Sequence, residues 1–145
     1  MPDSSSTLPY HGIRILDFSQ VIAGPIATHL LNASGADVIK IEAPAKGDQL
    51  RKLVFSSRQD KSRDSAAFTA INRGKRSICL DLKSPAGQEV AMRMAGASDV
   101  IVENFRPGVM QRLGLDYASI VKNVPNIIYC SVSGYGQSGP LSKRP

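Results

Sequence analysis

Tryptophan is absent from the 145 residues, cysteine and histidine occur twice each, and no apolar run approaches the length of a membrane-spanning helix. Each shortage excludes something. Cys79 and Cys130 are too few for a disulfide framework, and with His11 and His29 they offer no metal-ligand spacing. Both cysteines fall inside apolar segments, so they read as small core residues of a protein held in a reducing compartment, and a cytoplasmic location is expected. The 18 Lys and Arg against 12 Asp and Glu leave a net charge of +6. Such an excess suits nucleic acid, an anionic membrane or a polyphosphorylated small molecule. No basic run with interleaved aromatics supports nucleic acid, and nothing of transmembrane length supports a membrane. Met1 to Pro9 is polar and Ser-rich, with neither an apolar signal core nor an Arg-rich pattern, so residues 1–10 read as a frayed tail. The 42% hydrophobic content is enough for one core over residues 11–145.

What is present alternates between strand and helix patterns. Ile13–Phe18 is a short apolar strand, and after a turn over Ser19–Pro25 a helix is expected with Pro25 as its first residue. Ile26, Ala27, Leu30 and Leu31 form its apolar stripe, with His29 beside it as a half-exposed surface residue. Asp37–Glu42 is the next strand. Residues 43–64 break the pattern, with Leu50, Leu53, Val54 and Phe55 as the available anchors; so long a loop in a compact domain is usually functional or mobile. A helix over Ser65–Arg73 should end at Gly74. Ile78, Leu80 and Leu82 then alternate with Cys79 and Asp81, the period of a strand. Ser84 is an N-cap with Pro85 following it, and Ala86, Val90, Met94 and Ala97 recur at helical spacing. Asp99–Glu103 is an apolar strand, Pro107–Arg112 a short helix closed by Gly114, Asp116–Lys122 another capped by Asp116, and Asn126–Ser133 the last strand. This order implies an α/β fold: a parallel, Rossmann-like sheet with helices on both faces. In such sheets ligands bind beyond the carboxyl ends of strands, which nominates Gln20–Gly24, Lys83, Asn104–Arg106 and Gly134–Gly139.

Several clusters compete for attention. Arg73, Lys75 and Arg76 precede the third strand and Lys83 follows it; they either solvate a turn or form an anion site, and the rest of the chain favours the anion site. Gly134, Gly136 and Gly139 match G-x-G-x-x-G after a strand, but residues 140–145 have no helical pattern, so a tight turn is the better reading than a dinucleotide fingerprint. Glu42 is either an edge residue or a mimic of a ribose-binding acid. Asp17 with Asp37, and Asp99 with Glu103, flank strands and are poor candidates for an acid–base pair, and no Ser-His-Asp set can be assembled.

Five segments in order carry a family resemblance: Ile15–Pro25, Gly35–Glu42, Asn72–Lys83, Val102–Gly108 and Ser133–Pro140. Together they resemble family III CoA-transferases, the group of formyl-CoA and carnitine CoA-transferases, with α-methylacyl-CoA racemases as relatives. The resemblance implies the N-terminal CoA-binding part of a larger two-domain chain, interlocked homodimers, and acyl-CoA and carboxylic acid substrates handled through aspartyl intermediates. Coenzyme A would be a substrate, with no tightly bound cofactor. Its contacts would be Ile22 and Ala23, then Leu80, Asp81, Leu82 and Lys83, then Asn104, Phe105 and Arg106, and finally Arg112. Where some members carry an arginine after the second strand's glutamate, this chain has Ala43. The family's nucleophilic aspartate lies downstream of the Gly-Tyr-Gly-Gln segment, so no catalytic residue is expected within this sequence, which by itself should be inactive. The alternatives are an α-methylacyl-CoA racemase-type enzyme, from which Asn72–Ser77 leans away, and a non-catalytic CoA- or nucleotide-binding module.

Overall fold

A computed structural model describes residues 8–53 and 64–144. Val54 and Phe55, two of the expected loop anchors, and residues 1–7 of the expected tail lie outside them. Leu8–Tyr10 form a turn whose Tyr10 amide donates to the Ser34 carbonyl.

Five short strands, β1 (Arg14–Asp17), β2 (Asp37–Glu42), β3 (Arg76–Cys79), β4 (Val100–Glu103) and β5 (Ile128–Ser131), form one parallel sheet in the order β3-β2-β1-β4-β5. Helices α1 (Ala23–Ala33), α2 (Ala66–Asn72), α3 (Pro85–Gly96), α4 (Val109–Arg112) and α5 (Tyr117–Ile120) alternate with them. Strand order reverses between β1 and β4, so the crevice favoured for ligands lies at their carboxyl ends. Side chains alternate across the pleat. Leu16, Phe18, Ile41 and Ile101 pack with Ala91 and Ala95 of α3, Met110 of α4 and Ile120 of α5. On the opposite face Ile15, Val38 and Val102 pack with Leu31 of α1. The sheet thus has helices on both faces, as the alternation implies.

The helical stripes were harder to read. The buried face of α1 is Gly24, Pro25 and Thr28, whereas Ile26 and Leu30 are 41% and 61% exposed and Ala27 is also exposed. The helix also starts at Ala23 and not at Pro25, which sits in the first turn, where a missing N–H leaves no bond unmade. Apolarity fails as a guide to α1 because the face turned to the sheet meets a polar network. In α3 the stripe is displaced: Ala86 and Ala97 are exposed, and Gly87, Ala91 and Ala95 are buried. A Cβ at Gly87 would sit 2.0 Å from the Asp81 carbonyl oxygen, so only glycine lets α3 begin this close to the chain that enters it.

Cys79 and Cys130 are exposed and not core residues, because they lie on the two edge strands, on the α1 and α2 side. The third strand stops at Cys79: the Leu80 amide still donates to the Glu42 carbonyl, after which the chain turns, although Leu80 and Leu82 keep packing against the α3 side. Asp116 precedes α5, but its carboxylate accepts from the Ser119 hydroxyl and caps no amide.

Ile128 on edge strand β5 is 63% exposed and Leu30 61%. Exposed apolar residues on a helix face and an edge strand promote association. The 145-residue chain alone is therefore expected to bind a hydrophobic dye and to associate. Combining Leu30→Gln with Ile128→Thr should lower dye fluorescence with the far-ultraviolet circular dichroism unchanged; unaltered fluorescence would show that the dye reports other surface.

Candidate functional site

At the carboxyl ends of β1 to β5, three grooves meet around the half-buried Phe105. The first, ≈ 230 Å³, is walled by Phe18, Leu80, Leu82, Phe105 and Leu113, with Asp81 and Lys83 at its rim. The second, ≈ 440 Å³, runs from Ala23 past Asn104, Phe105 and Arg106 to Ser133–Gly136 and Arg144. The third, ≈ 410 Å³, is lined by Gln20–Ala23, Gln49 and Asn104–Arg106. Ile22, Ala23, Leu80, Asp81, Leu82, Lys83, Asn104, Phe105 and Arg106 are thereby brought to one end of the sheet. Arg112, exposed on α4, lines none of these three grooves. The ion pairs formed among the described residues use none of Lys83, Arg106 or Arg112.

The loop between β1 and α1 is held rigidly. Asn104 accepts from the Gln20 amide and donates to the Gln20 carbonyl, both at 2.8 Å, closing the crevice floor between β1 and β4. Gly24 lets α1 come close behind the loop, since a Cβ there would lie 2.3 Å from the Ser19 Cβ. Val21 has φ +65°, rare for a β-branched residue, and its amide donates to both carboxylate oxygens of Asp48 at 3.1 and 3.3 Å. No side chain caps the α1 N-terminus at Ile22.

Beneath the grooves, on the α1 and α2 face, the core is charged. The three N–H donors of the Lys75 ammonium are shared among four acceptors, Asp17 at 3.1 Å, Thr28 at 2.7 Å, Asn72 at 2.9 Å and the Pro25 carbonyl at 2.9 Å, with its side chain 1% exposed. Burial pushes its pKa down, opposed by the Asp17 carboxylate. This corrects the reading of Arg73, Lys75 and Arg76 as an anion site: Lys75 is consumed internally, and Arg76 pairs with Asp37 at 2.6 Å at the amino-terminal end of β3. Lys40 pairs with Asp48 at 2.8 Å and donates to the Ser19 carbonyl at 2.7 Å. Glu42 takes Arg51 and Ser77 on Oε1, and Arg51 again with the Asp48 amide on Oε2. It is thus neither an idle edge residue nor a ribose-binding acid. Burial alone would raise its pKa, but the Arg51 guanidinium, the Ser77 hydroxyl and the Asp48 amide bring it down from 4.5 to about 2. Arg51 also lies over the Phe68 ring, 3.8 Å from its centroid, and pairs with Asp64 at 2.5 Å.

Asp17, Asp37 and Asp99 are likewise spent on structure, Asp99 accepting from the Arg14 amide. Gly134 and Gly139 lie in bends, Gly136 and Gly139 have positive φ, and no helix opens at Gly139 among the described residues. Sequence reasoning placed Val21 in the nominated Gln20–Gly24 turn without its positive φ, and missed Gln49 and Asp48. Only Asp48 had a legible signal, as the N-cap of the 3-10 turn Gln49–Lys52, where it accepts from the Leu50 amide. No His, Cys, Asp and Glu cluster among the described residues could hold a metal ion, and no helix there is long and apolar enough to cross a membrane.

A sequence profile described as CoA-transferase family III matches residues 10–145. The chain belongs to this family. Its relatives include a Mus musculus protein named succinyl-CoA:glutarate CoA-transferase, 44% identical over 142 residues that make up 98% of this chain and 32% of the relative. An Acetobacter aceti protein named acetyl-CoA:oxalate CoA-transferase is 42% identical over 138 residues, 94% of this chain and 34% of the relative. Among solved structures, a CAIB/BAIF family protein from Brucella suis superimposes with TM-score 0.86 at 38% identity, covering 94% of this chain and 36% of that one. The family III chain therefore spans about a third of the length of the relatives it matches.

Glu42 gives a testable pH dependence. Its folded pKa lies below the ordinary 4.5, so its stabilisation is fully present above that value and is lost as pH falls toward about 2. Glu42→Gln should cost roughly 2 kcal/mol at neutral pH, since Arg51 keeps only the more exposed Asp64 as a charged partner. In urea titrations the variant should also show a flatter loss of stability with acid over that window; an unchanged slope would assign the acid sensitivity to other carboxylates.

Proposed function

We propose that this chain is the N-terminal, CoA-binding part of a CoA-transferase that moves CoA between an acyl-CoA and a free carboxylic acid, with coenzyme A as substrate and no tightly bound cofactor. The supporting observation is that apolar-walled grooves and cations that form no ion pair among the described residues meet at the carboxyl ends of a parallel sheet, within a chain of this family. Coenzyme A needs both features. Leu80, Leu82 and Phe105 offer apolar walls to the adenine or pantetheine. Lys83 and Arg106 offer charge-assisted hydrogen bonds to its phosphates, and Arg112 of the adjoining α4 extends the positive surface. The uncapped amino end of α1 favours negative charge beside Ile22 and Ala23.

Transfer through acyl-aspartyl anhydride and aspartyl-CoA thioester intermediates requires an aspartate that this reading puts beyond residue 145, in a second domain. The relatives cited above are named as transferases, which supports transfer over racemisation at the α-carbon. The exposed Ile26, Leu30 and Ile128 suit cover by an interlocked partner chain of a cytoplasmic homodimer.

In the longer protein, Arg106→Ala and Lys83→Met should each weaken CoA binding about tenfold at low salt, the scale of one charge-assisted hydrogen bond, with the loss shrinking as salt rises. Calorimetric titration with CoA reads this directly. Equal affinity of wild type and both variants at low salt would remove these residues from the site, and failure of the wild type to bind CoA would remove the function.

A further inference from the structure

We infer that the buried Lys40–Asp48 pair acts as a positioning device, holding Val21 in its left-handed conformation and thereby fixing the groove wall made by Val21, Ile22 and Ala23. This rests on the CoA-binding reading above and adds residues that touch no ligand.

The argument starts from the backbone of Ser19–Val21. The Ser19 carbonyl accepts from the Lys40 ammonium, both backbone polar groups of Gln20 are bonded to Asn104, and the Val21 amide donates to Asp48. Three separate segments therefore grip three consecutive residues. A β-branched residue at φ +65° is strained, and such strain persists only where surrounding contacts over-determine it. Asp48 is the contact that opposes the strain directly, because it takes the very amide whose direction the left-handed turn sets. Its own position is fixed in turn: its carboxylate meets Lys40 at 2.8 Å and the Leu50 amide at 2.9 Å, and its backbone amide donates to Glu42 at 2.9 Å. Lys40 is 1% exposed and Asp48 1%, so neither side chain reaches the grooves. Val21, Ile22, Ala23 and Gln49, the residue after Asp48, all line the third groove. Without the carboxylate, Val21 relaxes to negative φ and Ile22 and Ala23 turn away from Asn104–Arg106.

The test is carried out in the longer protein, with calorimetric CoA titration as readout and circular dichroism as the check on folding. Replacing both members by apolar residues, Lys40→Met with Asp48→Leu, avoids leaving one buried charge unpaired. This double variant should bind CoA about tenfold more weakly, the scale set by the strain of one left-handed non-glycine residue. Adding Val21→Gly should recover most of the loss, because glycine takes positive φ without strain. If the double variant does not fold, Asp48→Asn, which keeps the side-chain volume, is read the same way with and without Val21→Gly. Wild-type affinity in the folded variant would overturn the inference, as would a loss that Val21→Gly leaves untouched, since the pair would then act on stability alone. A wild-type protein that does not bind CoA would instead refute the function on which the inference rests.

Discussion

Ionised side chains are buried between the sheet and helices α1 and α2, and the remaining structure is arranged around keeping them satisfied. Removing a carboxylate or an ammonium from water costs several kcal/mol even after relaxation. Here Lys75 meets four acceptors and the Asp17 carboxylate accepts from Thr28, Lys75 and Ser19, so little hydrogen-bonding capacity is left over. The same logic joins Lys40 to Asp48 and Glu42 to Arg51. Each bond joins one segment to another: β1 to the turn before β3 through Asp17, β2 to the following loop through Lys40 and Glu42, that loop to α2 through Arg51 and Phe68. Because a charge needs a specific partner at a specific distance, such a layer fixes geometry in a way that an apolar layer of equal volume does not.

That layer also explains which parts of the fold were legible. Strand positions and the parallel architecture could be read because the α3, α4 and α5 side is apolar in the ordinary manner: Leu16, Phe18, Ile41 and Ile101 alternate and are buried. On the other side the rule inverts. Thr28 is buried while Leu30 is exposed, since the inward face of α1 meets Asp17 and Lys75. Hydrophobic periodicity cannot register a helix whose inward face is polar. For the same reason Lys75 looked like part of a surface cluster: a lysine before a strand is usually solvated, and nothing local announces that Asp17, 58 positions earlier, is its partner.

The candidate site was readable for a different reason. In a parallel sheet the carboxyl ends of the strands all point one way, so residues just after strands converge whatever their identity. Gln20–Ala23, Leu80–Lys83 and Asn104–Arg106 meet on that ground alone, and the role proposed for them comes from the family resemblance. What could not be read is how the convergence is held. Val21 carries no mark of positive φ, since valine is among the residues least suited to it, and Asp48 lies in a stretch with no periodicity.

The charged layer and the grooves are parts of one construction. Lys40, Glu42 and Asp17 sit on the last turns of the pleat before the strands end, so the groups that hold the interior also anchor the loops that line the grooves. A hydrophobic layer there would have left the backbone of Ser19–Val21 with polar groups facing apolar side chains, a cost of about 1–3 kcal/mol for each unpaired group. Ionic residues supply the acceptors and donors those groups need: Lys40 for the Ser19 carbonyl, Asp48 for the Val21 amide, with Asn104 closing the Gln20 pair from the other side of the crevice. The buried charges therefore have a reason to be charged. They satisfy the backbone of a loop that borders the grooves, Lys40 from a strand that cannot move without breaking the sheet and Asp48 from the loop that follows that strand.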